Sequence, residues 1–322
     1  MRVGILGTGG IAARHADAIA AVEGAELVAS TSRRLETAEA FSARHGGTAY
    51  AQLDRMLGEA ELDLVIVALP PGAHAGEVEQ IAAAGINVLV EKPIALELGR
   101  ARAMVDATET VIAACGFMYR FGGAVERWAA LDAAGETGRA GHFSGSFHCN
   151  ALHAPWWRDR DMSGGQMVEQ LIHIVDLQRS TMGMPSSVVA RSANFGHAGT
   201  PGYSSEDMSA MIFGYDDGRI AVLHASNIAV PGRWMKGWQI VAERATGLFA
   251  DWNTAEIVRT AGEVASERVA ASINPFVAQI ADLRDAIANR RPPRVPLSDG
   301  LETLQMVLAA RRAADERREV AL

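Results

Sequence analysis

Short apolar runs alternate with alanine-rich amphipathic stretches over the first third of the chain. The apolar runs are rich in branched residues and have no polar face, which is typical of strands covered on both sides of a sheet. The stretches between them carry polar residues at helical spacing, and several end at a glycine. The predicted strands are Val3–Leu6, Leu27–Ser30, Leu64–Ala68, Asn87–Val90 and Val111–Cys115, and the predicted helices are Ala13–Val22, Arg34–His45, Leu53–Gly58, His74–Gly85 and Leu96–Thr108.

This alternation predicts an α/β fold with a doubly wound parallel sheet, since strands joined by right-handed helical crossovers lie parallel to one another. We place this N-terminal Rossmann domain at residues 1–117.

The pattern changes after Tyr119. Asp216-Asp217-Gly218 separates two alternating segments and predicts a hairpin, because glycine accepts the positive φ of a tight turn. We predict an α+β domain over residues 118–322, built on an open, mainly antiparallel sheet, that binds substrate and forms oligomers; its C-terminal helices pack back toward the N-terminal domain. Its predicted elements are a helix at Ala124–Ala134, strands at Gly141–Cys149, Val188–Phe195, Met208–Tyr215 and Arg219–Ser226, helices at Pro275–Asn289 and Asp299–Arg318, and an extended linker at Arg290–Pro296.

Composition agrees with a globular protein of two domains. The chain has 322 residues, 49% hydrophobic and 21% charged, and about 100 to 200 residues usually form one domain. The formal net charge of −8 repels phosphate backbones and anionic lipid, so we expect neither a nucleic acid nor a membrane as partner. The expected partner is a small molecule.

The two cysteines, Cys115 and Cys149, have no second ligand at zinc-site spacing, so we expect buried thiols and no metal. The first residues read as a strand without a charged and then apolar leader, and no apolar run reaches the 18 or so residues of a membrane span. A cytoplasmic location is expected.

The segment Gly7-Thr8-Gly9-Gly10-Ile11-Ala12 follows the first predicted strand and opens the first predicted helix. This context turns a weak glycine pattern into a strong dinucleotide fingerprint. Gly7 permits the tight turn, Gly9 lets a pyrophosphate approach the backbone, and small Ala12 lets the helix pack on the sheet.

The end of the second strand bears on the choice between NAD and NADP. A carboxylate there would accept hydrogen bonds from a ribose 2′-hydroxyl, but the chain reads Ser32-Arg33-Arg34. A hydroxyl and two arginines favour a 2′-phosphate, so we expect NADP as cofactor, with NAD as the alternative.

Several segments together resemble the glucose-fructose oxidoreductase, inositol dehydrogenase and MocA family of dehydrogenases over nearly the whole chain. They are the Gly7 loop, Leu69-Pro70-Pro71 with His74, Glu91-Lys92-Pro93, Gly116-Phe117-Met118-Tyr119-Arg120-Phe121, and Gly164-Gly165 leading to Glu169, His173 and Asp176. The Glu-Lys-Pro segment is the most specific. The resemblance implies a Rossmann domain followed by an antiparallel-sheet domain, a nicotinamide cofactor, and a sugar, cyclitol or related polyhydroxy substrate.

The resemblance also assigns residue roles. It implies that His173 is the acid/base, that Lys92 holds and polarises the reacting oxygen, and that Glu169, where the family more often has Asp, orients the substrate or the imidazole. A Lys92-Pro93 bond in the cis form is implied as well. Besides the glycine loop and Ser32-Arg33-Arg34, the implied cofactor contacts are Leu69, Pro70, His74, Glu91 and Lys92.

The spacing of Glu169, His173 and Asp176 places them on one face of a helix. An imidazole titrates near neutral pH, which suits the proton transfer that accompanies alcohol oxidation. Asp176 is equally compatible with binding backbone or a neighbouring arginine.

On the substrate side, Trp156, Trp157 and Arg158 lie on a predicted loop where aromatic faces could cover sugar C–H groups and the guanidinium could bind hydroxyls or a carboxylate. Packing of the loop against its own domain is the alternative. Arg120 is a further candidate for substrate contact, and His153, Trp234 and Lys236 are weaker ones.

Three other functions remain open: a dinucleotide-binding sugar sensor without turnover, a glycosidase that uses transient NAD redox, and an aromatic diol dehydrogenase. The presence of both Lys92 and His173 favours an enzyme over a sensor. A broad open sheet face predicts a homodimer or homotetramer.

Overall fold

The computed structural model describes residues 1–150, 152 and 154–322 and divides into two compact units. The first unit comprises Met1–Met118 and Asn274–Leu301, and the second comprises Tyr119–Ile273 and Glu302–Leu322. Residues 274–301 thus belong to the first unit, whereas the sequence predicts them in the second domain, in C-terminal helices that pack back toward the N-terminal domain. The physical reason is apolar burial, because Phe276, Ile280 and Leu283 belong to the core of the Rossmann unit.

The first unit is built on a six-stranded sheet with the order β3-β2-β1-β4-β5-β6, in which every pair of neighbours is parallel. The predicted Rossmann fold is confirmed. The strand order reverses direction between β1 and β4, and ligands of such sheets bind outside the carboxyl ends of the strands at this point. The strands are β1 Arg2–Leu6, β2 Glu26–Thr31, β3 Thr48–Tyr50, β4 Leu64–Val67, β5 Asn87–Val90 and β6 Ala113–Cys115.

Helices connect these strands and bury their apolar sides on the sheet. The first helix buries Ala12, Ala16 and Ile19, positions at helical spacing that form one face. The helices are α1 Gly10–Ala20, α2 Leu35–His45, α3 Leu53–Glu59, α4 Glu77–Ala83 and α5 Leu98–Ala107, with a 3₁₀ turn at Pro71–Ala73.

The segment predicted as an extended linker, Arg290–Pro296, has a structural role in the first unit. The Cys115 N–H donates to the Val295 carbonyl at 3.1 Å, and Ala114 and Pro296 form an antiparallel bridge. The segment therefore covers part of the free edge of β6, which limits edge-to-edge pairing with other chains.

The second unit contains a nine-stranded sheet with the order β14-β13-β12-β11-β7-β10-β9-β8-β15. Its neighbours are antiparallel except β7 and β10, which run parallel. The predicted mainly antiparallel sheet is confirmed. Its strands are β7 Ala140–His148, β8 Ser187–Ala193, β9 Met208–Gly214, β10 Ile220–Ser226, β11 Met235–Ala242, β12 Ala245–Phe249, β13 Thr254–Arg259, β14 Ala265–Ala270 and β15 Val320–Ala321.

The hairpin predicted at Asp216-Asp217-Gly218 joins β9 and β10. Gly218 has a φ of +86°, and its N–H donates to the Tyr215 carbonyl at 3.0 Å. The strands β11 to β14 were not predicted. Glycine and alanine occur in β11 and β12, and alanine and glutamate occur in β13 and β14; these residue types are depleted in strands.

Helices of the second unit pack on one face of this sheet. Phe143 and Phe147 of β7 point to the helical side and are buried, whereas the residues between them lie on the opposite face, as strand geometry requires. The helices of this unit are α6 Gly123–Ala133, α7 Pro155–Arg158, α8 Arg160–Ser163 and α9 Ile172–Met182, with a 3₁₀ turn at Met118–Phe121 and a π-helical turn at Met167–Leu171.

Two helices follow near the end of the chain. Helix α10 is Pro275–Asn289, which belongs to the first unit, and α11 is Leu297–Glu316, most of which belongs to the second.

Cys115 and Cys149 are buried thiols outside any disulfide, as predicted. Within the described ranges, no helix is long and apolar enough to cross a membrane, and no group of three His, Cys, Asp or Glu side chains is placed to hold a metal ion.

Candidate functional site

The glycine loop forms an open cradle at the end of β1. Gly7 has a φ of +98°, and a Cβ there would overlap the Ala68 carbonyl oxygen, so this turn requires glycine. A Cβ at Gly9 or Gly10 would meet nothing within 4 Å. Gly9 is the N-cap residue of α1, and no side-chain hydrogen bond caps the first N–H groups of this helix. The N–H groups of the first helical turn therefore face open space, and such a turn fits an anion as large as a pyrophosphate.

The other loop residues support this cradle. Ala12 is fully buried and lets α1 lie close to the sheet, as predicted from its size. Thr8 and Ile11 are half-buried beside the exposed glycines.

The segment after β2 presents two arginines. Arg33 and Arg34 are exposed, and no carboxylate among the described residues forms an ion pair with either guanidinium. The Ser32 hydroxyl is engaged locally, with the Arg34 carbonyl at 2.8 Å and with the Thr37 hydroxyl. The arginines are thus available to an anionic ligand, while Ser32 organises the turn into α2.

His74 and Glu77 form a buried pair after β4. The His74 side chain is 1% exposed, and its Nδ1 contacts the Glu77 carboxylate, which also accepts a hydrogen bond from the Ala75 N–H at 2.8 Å. Burial alone would raise the pKa of Glu77, but the bonds from His74 and Ala75 and the nearby imidazole outweigh it and lower the pKa to about 2. Leu69 and Pro70, in the same loop, are half-buried.

The His74 ring offers one further group. Its Nε2 is buried, and none of the described residues forms a hydrogen bond with it. A buried polar atom without a partner is costly, so this nitrogen suits contact with a polar group of a ligand.

Glu91 and Lys92 follow β5 at the carboxyl edge of the sheet. The Lys92-Pro93 peptide bond is cis, as the resemblance implies. Lys92 is half-buried, whereas Glu91 is 5% exposed. The Glu91 carboxylate bonds to His15 Nε2 at 2.7 Å and accepts from the Lys92 N–H at 3.1 Å. Both of its oxygens form hydrogen bonds inside the unit, so Glu91 supports this edge from within, and the expected direct cofactor contact stays a prediction.

In the second unit, Glu169 and His173 lie on either side of a change in helix type. Glu169 belongs to the π-helical turn and His173 to the first turn of α9. Such π-helical turns occur frequently at functional sites. Glu169 and His173 are both half-buried, whereas Asp176 is fully buried, so the predicted single face is divided between partly exposed and interior positions.

Asp176 binds arginine. It accepts hydrogen bonds from Arg120 Nε at 2.7 Å and Nη2 at 2.6 Å, and the Arg179 guanidinium lies 3.8 Å away. A bidentate pair of this kind fixes both side chains. Arg120 therefore anchors α9 to the 3₁₀ turn at Met118–Phe121, and its expected contact with substrate stays a prediction.

An aromatic ring lies against His173. The Tyr119 ring stacks on the imidazole with centroids 4.4 Å apart and an interplanar angle of 12°. The ring centroids of Tyr119 and Trp252 are 4.7 Å apart, and the Lys236 ammonium lies 4.1 Å from the Trp252 ring centre. The sequence names Tyr119 only as part of a motif and does not indicate that Trp252 lies near the candidate site. Residues 119, 173 and 252 are far apart in sequence, and only the folding of the unit brings them together.

The Trp156–Arg158 segment is a short helix, where a loop was predicted. Trp157 is 3% exposed and donates its Nε1–H to Glu169 at 2.7 Å, so it packs inside the unit and orients the carboxylate. Trp156 stays half-exposed, and Arg158 Nε bonds to the Leu152 carbonyl at 2.7 Å. His153 lies outside the described residues.

Trp234 is more exposed than the other candidates. It is 54% exposed, and its ring meets that of Phe147 edge-on at 5.9 Å. Its neighbour in β11, Lys236, is half-buried.

The sequence matches a family model described as an oxidoreductase family with an NAD-binding Rossmann fold, GFO_IDH_MocA, over residues 1–116, and the C-terminal domain of the same family over residues 125–263. The solved structure of a levoglucosan dehydrogenase in complex with NADH and L-sorbose has a TM-score of 0.91, covering 100% of this chain and 98% of that chain at 18% identity. At that identity the likeness concerns the fold.

Two curated relatives are more similar to this chain in sequence. Glucose-6-phosphate 3-dehydrogenase of Bacillus subtilis is 33% identical over 55% of this chain and 52% of its own length. D-xylose 1-dehydrogenase (NADP(+)) 2 of Haloferax volcanii is 30% identical over 70% of this chain and 69% of its own length. The alignment thus spans about half of the first relative and two thirds of the second. The chain belongs to the Gfo/Idh/MocA family of NAD-binding oxidoreductases.

Proposed function

We propose that the chain is a dehydrogenase or reductase that exchanges a hydride between a nicotinamide cofactor and a sugar, cyclitol or related polyhydroxy compound. The observation that carries this proposal is the position of Lys92 at the ligand-binding edge of a Rossmann sheet in a member of an oxidoreductase family. The names of the two relatives, both sugar dehydrogenases, support the substrate class.

The cofactor is proposed to bind along the first unit. The open N–H groups after Gly9 would hold its pyrophosphate, and Arg33 and Arg34 would bind a 2′-phosphate, which favours NADP over NAD. Leu69, Pro70 and His74 would contact its nicotinamide half. When bound, the nicotinamide ring supplies the hydride acceptor or donor of the reaction.

Lys92 and His173 are proposed to act on the reacting oxygen. The Lys92 ammonium donates a hydrogen bond to that oxygen and stabilises the negative charge that develops as the hydroxyl proton leaves. The His173 imidazole takes this proton during oxidation and returns it during reduction. Glu169, held by the Trp157 N–H, orients the substrate hydroxyls or the imidazole.

Lys92→Ala and His173→Ala test these roles in single-turnover hydride transfer, followed at the nicotinamide absorbance. Each is expected to lower the transfer rate by about two to four orders of magnitude, in line with the loss of an acid/base group. His224→Ala is the matched control, because His224 is an exposed histidine on the sheet and should leave the rate unchanged. Near wild-type rates in both site variants, with cofactor still bound, would contradict the proposal.

A panel of sugars, inositols and their keto forms, each with NADPH or NADP and with NADH or NAD, defines the substrate class. Net change in nicotinamide absorbance separates a dehydrogenase from a glycosidase that regenerates its cofactor. Turnover of none of these compounds, with cofactor bound, would favour a sensor.

We further propose a homo-oligomer that forms through the sheet of the second unit. The face opposite its helices carries large apolar side chains that are 38–46% exposed: Val189, Ile212, Ile220, Met235 and Val241. We call these residues the open face. Large exposed apolar side chains on one sheet face are typical of interaction sites, and symmetric pairing is the commonest way to cover such a face.

A further inference from the structure

His15 lies in the interior of the first unit, on the helix that the glycine loop opens. It is completely buried at the middle of α1, and its Nε2 is 2.7 Å from Glu91 Oε1. The Phe276 ring packs edge-on against the imidazole, with centroids 5.3 Å apart and an interplanar angle of 85°. A carboxylate only accepts hydrogen bonds, so the hydrogen-bond network assigns the proton of this bond to His15 Nε2.

The Glu91 carboxylate also forms a hydrogen bond with the next residue, Lys92. Its second oxygen accepts a hydrogen bond from the Lys92 backbone N–H at 3.1 Å. One carboxylate therefore joins the side chain of a residue in α1 to the backbone that carries the Lys92 ammonium.

The space for this carboxylate is built into the end of the adjacent strand. A Cβ at Gly116 would lie 2.8 Å from Glu91 Cδ and Oε2 and 3.1 Å from Glu91 Cα. Gly116 itself is fixed, because its N–H donates to the Val90 carbonyl at 2.8 Å. Glycine at 116 thus lets the carboxylate lie between the two strand ends, and a larger residue would push it away from His15 and from Lys92.

We propose that His15 is a positioning residue for Lys92 and that it acts through Glu91. This inference rests on the proposed function of Lys92 at the reacting oxygen. The N-terminus of α1 forms the pyrophosphate cradle, and the middle of α1 holds the lysine edge of the sheet. One helix therefore carries both the proposed pyrophosphate cradle and the residue that supports Lys92.

The test compares two variants of nearly equal size. His15→Gln keeps an N–H donor at the end of the side chain, whereas His15→Met removes it. For His15→Met we expect kcat to fall by about 10- to 100-fold, since small displacements of a catalytic group have effects of this size. The Kd for NADPH, measured by nicotinamide fluorescence, is expected to stay within about twofold, because the glycine loop is unchanged. His15→Gln is expected to recover most of kcat.

A second readout does not depend on turnover. The chain contains two lysines, Lys92 and Lys236, so the pH profile of acetylation by acetic anhydride can be followed at each by peptide mass spectrometry. His15→Met is expected to change the rate and the pH midpoint at Lys92 and to leave Lys236 as in the wild type. A purely structural role would leave both profiles unchanged in the folded fraction, and that result would overturn the inference.

If His15→Met does not fold, Glu91→Gln replaces it as the test variant. Its side-chain amide keeps one oxygen as an acceptor and has an NH₂ donor in place of the other oxygen. It is expected to change the Lys92 profile as well. Equal loss of kcat in His15→Gln and His15→Met would also contradict the inference, because the donor would then be irrelevant. Lys92→Ala separates the two proposals. Wild-type turnover in Lys92→Ala refutes the proposed function, whereas abolished turnover there with normal kcat in His15→Met refutes the positioning role alone.

Discussion

Tyr119 illustrates how burial sets the chemistry around His173. Its ring stacks on the imidazole, and burial, followed by the charges of Glu169 and Asp251, raises the pKa of its phenol far above the ordinary value. The phenol stays protonated throughout the range in which an imidazole titrates. Tyr119 therefore provides a flat, uncharged support for the imidazole of His173, the residue proposed as the acid/base.

Arg33 and Arg34 should decide which cofactor is preferred. Arg33→Ala combined with Arg34→Ala is expected to lower kcat/KM for NADPH by about 10- to 100-fold, the loss of a charge-assisted contact to a 2′-phosphate. The value for NADH is expected to stay within about twofold. Steady-state kinetics with both cofactors measures the difference.

Arg44→Ala is the matched control for this test. Arg44 is an exposed arginine in the last turn of α2, so its loss removes one positive charge, half of the change in the double variant, without touching the segment after β2. A wild-type enzyme that clearly prefers NADH would refute the NADP assignment.

Glu77 should make stability depend on pH. Its pKa of about 2 in the folded chain lies below the ordinary 4.5, so its stabilising contribution is complete above pH 4.5 and is lost as the pH falls toward 2. Urea unfolding of the wild type and of Glu77→Gln is expected to differ by about 2 kcal/mol at pH 7, after allowance for solvent screening. Near pH 3 the difference should fall to less than about half of that value.

His45→Gln provides a comparison, since His45 contacts Asp17 at 3.5 Å and the Asp17 side chain is 75% exposed, and an ion pair with a solvent-exposed partner contributes little. A difference between wild type and Glu77→Gln that does not change with pH would show that Glu77 stabilises the loop by packing alone.

At the scale of elements, the helix that carries Glu169 and His173 depends on how it begins. The Met167 N–H donates to the Glu206 carboxylate at 2.8 Å. Gly165 has a φ of +89°, and a Cβ there would overlap that carboxylate. Glu206 is deeply buried, and burial is the first cause that raises its pKa. A carboxyl group in this environment stabilises the chain only while its hydrogen bond is intact.

Gly165→Ala is therefore expected to destabilise the second unit by about 3 kcal/mol or more, because backbone strain and a displaced buried carboxyl act together. Gly202→Ala isolates the backbone effect. Gly202 has a φ of +71° with nothing within 4 Å of a Cβ, so about 1 kcal/mol is expected. Thermal unfolding compares the two variants, and equal losses would show that Glu206 does not constrain position 165.

The sequence predicts these elements unevenly, for physical reasons. Continuous apolar strands such as Leu64–Val67 are buried on both faces and give a clear signal. The helix Pro275–Asn289 is predicted with its exact observed bounds, because Asn274 caps its start through the Phe276 N–H. Strands such as Ala265–Ala270 are half-exposed and lack branched residues at most positions. Their pairing with neighbours, which no local pattern records, makes them strands.

The same contrast applies to the site. Motifs that lie at the end of one strand or in one loop, such as Glu91-Lys92-Pro93, are visible in the sequence. The hydrogen bonds that hold these motifs in place cannot be predicted from the sequence, because they join distant residues. His15 lies 76 positions from Glu91, and Arg120 lies 56 positions from Asp176. A buried histidine in an alanine-rich helix gives no local indication of its partner.

At the scale of the whole molecule, the open face is expected to hold subunits together. Ile212 and Ile220 lie on the antiparallel strands β9 and β10, and their side chains are 45% and 46% exposed. Replacing both with lysine places two charges on each protomer within this surface. Because a symmetric interface brings identical patches together, like charges then meet and apolar contact is lost.

The double variant Ile212→Lys and Ile220→Lys is therefore expected to elute as a monomer, whereas the wild type elutes as a dimer or tetramer in size-exclusion chromatography with light scattering. Val264→Lys is the control, because Val264 is 68% exposed but lies in the turn between β13 and β14, outside the open face. It should retain the wild-type mass. If the double variant keeps the wild-type mass, or if the wild type is itself a monomer, the open face does not form the interface.

Because neither substitution touches Lys92, His173 or the glycine loop, single-turnover hydride transfer by the monomer should remain close to that of the wild type. A large loss would instead indicate that the partner subunit supports the site.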